Sequence, residues 1–216
     1  VPDIQAAVDE LEEGGIVLVP EGDVEAVGTL KVTGGVSIRG AGAVQTILRR
    51  GSATDPKSSA PIIVVDGSNG KPSEVRGLGL VGMADPASAS WDAGLQLCEA
   101  RDFRVTDCRF ERFGLAGVHT RGACRGVVDH CLFVDNFKKP INNVGYGVVV
   151  MGTGEWRDDL NPGTADSVFI EDNEFIGSRP AVASNAGARY VFRRNPVHGN
   201  DNSQAVDAHG PGIGSK

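Results

Sequence analysis

Four stretches of the chain carry apolar and small residues at matching offsets: DFRVTDCRF at 102–110, RGVVDHCLF at 125–133, DSVFIEDNEF at 166–175 and ARYVFRRNPV at 188–197. In each, two alternating positions are followed by a small residue and then an apolar one: Phe103/Val105/Cys108/Phe110, Gly126/Val128/Cys131/Phe133, Val168/Ile170/Asn173/Phe175 and Tyr190/Phe192/Asn195/Val197. The Cys or Asn advances by 23, 42 and 22 residues, so the period is about two dozen with one long insertion. Strand-like alternation inside a fixed repeat of this size predicts a solenoid. Helical solenoids show helical periodicity and leucine-rich repeats a dense leucine and asparagine consensus. Here short Val/Ile/Phe runs are broken by Gly, Asp and Asn, which selects a coil of strands.

A second strand set runs through GLQLC (94–98), GVHTR (117–121), GVVVM (147–151), AVASN (181–185) and AVDAH (205–209). Stacked as one parallel sheet, these strands point Leu95, Val118, Val148, Val182 and Val206 inward. Alternation then sends Gln96, His119, Arg121, Val149, Met151, Ala183, Asn185, Asp207 and His209 outward. In the first set, Cys108, Cys131, Asn173 and Asn195 are expected to form one inward ladder, with Asp107, His130, Asp172 and Arg194 facing out. At the start of the chain, Ile4, Ala7, Val8 and Leu11 follow helical spacing. Asp3 is placed to cap that helix and Gly14-Gly15 to end it. The strand series IVLVPEG, LKV and VSIRGAG comes next.

The repeat length, the Asn at a recurrent turn and the opening Ile-Gln-Ala-Ala helix, Gly-Gly, strand and Val-Pro-Glu-Gly together resemble the right-handed parallel β-helix of the pectate-lyase-like superfamily. The resemblance implies an all-β solenoid with an N-terminal amphipathic capping helix. It gives a single domain over 1–216, with the cap helix in 1–15, coils over 16–209 and a tail at 210–216. That tail, GPGIGSK, has neither helix nor strand signal. An uncovered last coil exposes apolar core and unpaired backbone, so the expectation is a fragment or self-association through the open end.

Composition narrows the function classes. With 216 residues, 40% of them hydrophobic, the chain can bury one continuous core, and its 30 glycines suit a fold with several tight turns per coil. A net charge of −7 disfavours a nucleic-acid partner, and no apolar run reaches membrane-spanning length. The four cysteines lack metal-site spacing and are expected to be buried free thiols. An extracellular or secreted location is what the resemblance implies.

The outer face of the second strand set is the candidate site. Insertions flank it at 83–92, 137–144 and 155–165, and function concentrates on such loops. Trp91 and Trp156 lie in them as platforms for sugar rings, with Lys138, Lys139 and Asn185 as further substrate-binding residues. Asp207 and His209 face the same way two residues apart and are similar to an Asp-Xaa-His pair of mannuronan epimerases, without that family's following Pro-His-acidic context. The Asp158-Asp159 pair and Ala208-His209-Gly210 match polygalacturonases less well, because no Arg-Ile-Lys accompanies them. VVDHC at 127–131 resembles the Trp-Ile-Asp-His stretch of family-1 pectate lyases, without that family's downstream Asp pair and Arg motif. His119 and Arg121 share one strand; basic groups there can neutralise a uronate carboxylate before a base removes the C5 proton. Glu155, Asp158 and Asp159 offer hard oxygen ligands suited to Ca²⁺.

Two function classes follow. One is a lyase or epimerase acting on an acidic, uronate-containing polysaccharide, with catalytic groups among His119, Arg121, Asp207 and His209. The other is a non-catalytic glycan-binding, tail-fibre-like or structural β-helix. His119 and Asp207 stand three coils apart, about 14 Å, so they belong to different local units. The Asp207–His209 pair is expected to carry the chemistry, and His119 with Arg121 to bind the carboxylate of a neighbouring sugar.

Overall fold

A computed structural model describes residues 2–51, 59–83, 91–136, 145–153, 165–199 and 204–208. These comprise one helix, α1 (Pro2–Asp9), and strands wound into coils of three. The first coil holds β1 (Gly15–Val19), β2 (Gly22–Ala26) and β3 (Leu30–Thr33), and the second β4 (Val36–Gly40), β5 (Thr46–Arg50) and β6 (Ile63–Asp66). The third holds β7 (Glu74–Arg76), β8 (Gly79–Val81) and β9 (Ala93–Cys98), and the fourth β10 (Arg101–Thr106), β11 (Arg109–Glu111) and β12 (Ala116–Arg121). Then come β13 (Arg125–Asp129), β14 (Leu132–Val134) and β15 (Tyr146–Met151), followed by β16 (Val168–Glu171), β17 (Glu174–Ile176) and β18 (Val182–Asn185). The seventh coil is β19 (Tyr190–Arg193), β20 (Val197–His198) and β21 (Val206–Ala208). Equivalent strands pair in parallel, giving three sheets of 7 strands among the described residues. The chain is a right-handed parallel β-helix.

The register read from the sequence holds. Phe103, Gly126, Val168 and Tyr190 are successive partners in the first sheet, and Leu95, Val118, Val148, Val182 and Val206 in the third. Period two makes this robust, because a one-residue slip would turn every core side chain to solvent. In the second sheet the phenylalanines stack, with ring centroids 5.1 Å apart for Phe110–Phe133 and 4.6 Å for Phe133–Phe175. The glycines opening β12 and β15 make room for this stack. A Cβ on Gly117 would lie 2.7 Å from Phe110 Cβ, and one on Gly147 2.4 Å from Phe175 Cε1.

The corner between the first and second sheets carries the inward ladder. Asn173 is buried; its amide nitrogen donates to Val128 O (2.9 Å) and Glu171 O (3.0 Å), and its Oδ1 accepts from Cys131 N–H (2.9 Å). Asn195 repeats this one coil on, donating to Ile170 O and accepting from Asn173 N–H. The buried thiols of Cys108 and Cys131 donate to equivalent carbonyls, Thr106 O and Asp129 O, each at 3.2 Å. The residue before each rung is exposed and left-handed: Asp107, His130, Asp172 and Arg194 have φ of 53°, 52°, 57° and 55°. This turns the chain sharply enough to aim the next side chain into the core.

The helix is shorter than residues 1–15. It ends at Asp9, and Asp3 lies within its first turn, where a carboxylate favours the positive end of the dipole, rather than capping it. Gln5 fixes α1 to the first coil through Lys31 N–H and O (2.8 and 3.0 Å). Gly14 (φ +107°) passes so close beneath the second coil that a Cβ would sit 2.7 Å from Gly35 O. All four cysteines are free; Cys108, Cys124 and Cys131 are buried, whereas Cys98 is half-exposed because its strand position faces outward. Burial falls across the seventh coil: Val206 is 39% exposed, against complete burial of Val182. Among the described residues no helix is long and apolar enough to cross a membrane.

Candidate functional site

The outer face of the third sheet is built of two rows. Lys31, Val64, Gln96, His119, Val149, Ala183 and Asp207 form one by direct pairing, and Thr33, Asp66, Cys98, Arg121, Met151 and Asn185 the other. Side chains in each row stand about 4.8 Å apart, a spacing set by the backbone ladder. His119 is half-buried, and its Nδ1 is enclosed without a hydrogen-bond partner. Burial, and then the neighbouring Arg121 cation, lower its pKa to about 4, so the imidazole is neutral at pH 7. Arg121 itself is exposed. Gln96 flanks His119 and donates to Cys98 Sγ at 3.2 Å.

Above His119 the face becomes apolar. Ala116, Val149 and Ala183 are buried, with Leu115, Tyr146 and Met151 packed against them, a small second core on the outside of the sheet. It separates His119 from Asp207. Strict alternation back from Val148 would point Tyr146 inward. The close packing of Gly147 on Phe175 breaks the alternation, and Tyr146 joins the outer cluster instead. Burial raises the Tyr146 phenol; the Asp207 carboxylate raises it further, while the Arg179 guanidinium opposes both. The Asp207 carboxylate and the Arg179 guanidinium thus both lie near enough to act on the Tyr146 phenol. Neither Tyr146 nor Arg179 was marked by the sequence pattern; the signal available was the Gly-Tyr-Gly that opens the strand.

The remaining candidates divide. Trp91 is 38% exposed at the entry to β9. Asn185 accepts from Ala186 N–H at 2.7 Å, so part of its amide shapes the turn after β18. His209, Trp156, Lys138, Lys139, Glu155, Asp158 and Asp159 lie outside the described residues. Among the described residues no group of three or more His, Cys, Asp or Glu is placed to hold a metal ion.

A further Asp–His contact lies on the first sheet. His130 Nδ1 is 3.0 Å from Asp129 Oδ2, and Arg104 Nη2 donates to the same oxygen at 2.6 Å. Burial pushes the Asp129 carboxyl upward, but hydrogen bonds from Arg104, Thr106 and His130 outweigh it and hold the group below the usual carboxylate range. With its side chain only 6% exposed, Asp129 has little access to a ligand, and it ties the fourth coil to the fifth.

No protein-family model matches the chain, and no curated protein does. Among solved structures, the ORF18 protein of Geobacillus virus E2 superposes with a TM-score of 0.65 at 16% identity over 94% of this chain. The chain spans 40% of that protein's length. The A-module of the mannuronan C-5 epimerase AlgE4 from Azotobacter vinelandii aligns over 96% of this chain and 87% of its own, with a TM-score of 0.32 and 13% identity. At such identities the likeness to the viral protein is one of architecture alone, and the fold of this chain is a right-handed parallel β-helix.

Proposed function

We propose that the chain is a carbohydrate-active β-helix that lays an acidic, uronate-containing polysaccharide along the outer face of its third sheet and removes the C5 proton of one residue. The observation that carries this reading is Tyr146 in the outer cluster of that face, with Asp207 following Ala183 in the adjacent row and Arg179 on the neighbouring turn, where its N–H donates to Gly145 O at 2.9 Å. Lyase and epimerase chemistry require a cation to neutralise the carboxylate, a base on one side of the ring and an acid for the second proton transfer. Arg179 supplies the cation. Asp207 takes the C5 proton, with His209 two residues further along the chain, and the electron pair delocalises into the carboxylate. The protonated Tyr146 phenol then gives a proton either to the departing O4 as the C4–O4 bond breaks, or back to C5 from the opposite face. The first outcome is β-elimination and the second epimerisation.

His119 and Arg121 act on a different sugar. Their separation of about 14 Å from Asp207 spans roughly three residues of an extended chain. A pKa of about 4 makes His119 a poor base at neutral pH and a good neutral hydrogen-bonding partner. Incubation with oligogalacturonate and oligomannuronate in D₂O tests the reading, with and without Ca²⁺ because Glu155, Asp158 and Asp159 are the proposed calcium ligands. Deuterium at C5 is expected where the intermediate is reprotonated, and a 4,5-unsaturated product absorbing in the ultraviolet where the C4–O4 bond breaks. Tight polysaccharide binding with neither exchange nor unsaturated product under either condition would instead establish the non-catalytic glycan-binding reading.

A further inference from the structure

A cavity of about 300 Å³ opens where the third sheet turns into the first, beyond the end of the row holding Arg121, Met151 and Asn185. Gly122, Gly152 and Gly187 form part of its wall, and Arg101, Arg125 and Arg189 line it. The arginines come from successive coils. Arg101 pairs with Arg125 across β10 and β13; two coils on, Arg189 holds the equivalent place before β19, with Ser167 between. The backbone thus stacks guanidinium-bearing residues in one column at multiples of about 4.8 Å. Like charges stacked this closely are unfavourable unless compensated.

Compensation within the protein is partial. Arg125 bridges Asp102 Oδ2 at 3.1 Å and Asp166 Oδ1 at 3.4 Å, while its Nε is buried and unpartnered. Arg101 and Arg189 form no ion pair among the described residues. Glu99 also lies at this wall, accepting from Ala123 N–H at 3.0 Å, so the recess offers the two guanidiniums of Arg101 and Arg189 that no described carboxylate pairs rather than an excess of positive charge. A recess of this volume lies at the small end of ligand pockets and suits one sugar ring rather than a chain. Guanidinium forks match the planar geometry of a carboxylate.

We propose that this corner pocket is a binding site for a single uronate unit, with Arg101 and Arg189 holding its carboxylate and the glycine-lined wall admitting the ring. The choice of a sugar acid rests on the acidic-polysaccharide reading above; the selection for an anion rests on the arginine column alone. The pocket is separate from the Tyr146–Asp207 end and from the His119 row, and it places a branch or chain end at the edge of the third sheet.

The test is an NMR amide titration of the whole chain with galacturonate, galactose and sodium sulfate, repeated on an Arg101→Gln/Arg189→Gln double variant whose fold is checked by circular dichroism. Arg101 is exposed and Arg189 half-buried, and glutamine keeps much of each side chain's length, so the variant is expected to fold. Saturable shifts at Gly122, Cys124 and Gly152 with galacturonate are expected, with none from galactose and affinity about tenfold weaker or worse in the double variant. Sulfate binding as tightly as galacturonate would overturn the sugar assignment. Unchanged affinity in the double variant, or no saturable shift at all, would overturn the site. Shifts confined to Val149, Ala183 and their neighbours would overturn the pocket while leaving the function proposed for the outer face intact, and deuterium exchange at C5 or unsaturated product reports on that function independently.

Discussion

The middle of the third sheet's outer face and its β21 end use the same backbone and opposite electrostatics. Around β12, a neutral imidazole sits beside an arginine, its charge suppressed by burial and by that cation. Around β15, β18 and β21, a phenol is kept protonated by burial and a carboxylate. A small apolar cluster centred on Val149 and Ala183 lies between them. The fold imposes only spacing and direction, and the chemistry of each region depends on which side chains share a partly dry environment. In the proposed function the region around β12 holds a carboxylate and the β21 end moves protons.

That division is open to direct attack. The largest effect is expected from Asp207→Asn, which should cut C5 proton removal, read as deuterium exchange or as unsaturated product, about a thousandfold, within the range of a lost general base, while His119→Gln costs about tenfold through binding. If the two losses were reversed, His119 would be the base and the assignment of the two regions would be wrong.

A pH titration of stability comes next. The folded pKa of His119, about 4, lies below the unfolded value of about 6.5. The unfolded chain therefore takes up the proton first, and the contribution of neutral His119 is complete above about pH 6.5 and lost as pH falls toward 4. Its partial exposure limits this to about 2 to 3 kcal/mol. Denaturant melts of wild type and His119→Gln across that window should converge at low pH; parallel curves would mean that the imidazole is not desolvated.

The apolar divider offers a smaller lever. Val149→Ala should lower stability by about 1 to 2 kcal/mol, since Val149 is 7% exposed and packs in a cluster distinct from the main core. A loss near zero in thermal denaturation would show that the cluster does not hold the two regions apart. The smallest effect is expected from Arg121→Gln, about tenfold weaker oligouronate binding, or about 1.4 kcal/mol, with unchanged turnover at saturation. A fall in turnover at saturation instead would place Arg121 in the reacting unit.

The sequence by itself determined the solenoid, its register and the inward ladder. A repeat with period-two alternation leaves one way to bury Phe103, Val105, Phe110 and their successors, and a slip by one residue would reverse every face. The same alternation correctly placed His119, Arg121, Asn185 and Asp207 outside. It misjudged the helix length, because the constraint at Gly14 is contact with Gly35 from the second coil, and it left Cys98 among thiols expected to be buried. Tertiary structure alone decided the rest. Tyr146 turns outward because the stacked Phe175 occupies the space in front of Gly147, a contact between residues 28 apart in the chain. The arginine column forms because insertions of unequal length bring Arg101, Arg125 and Arg189 to equivalent places in their coils. Protonation states followed last, since a pKa depends on how much water the assembled neighbours exclude and which charges they bring near, and alternation along a strand carries neither quantity.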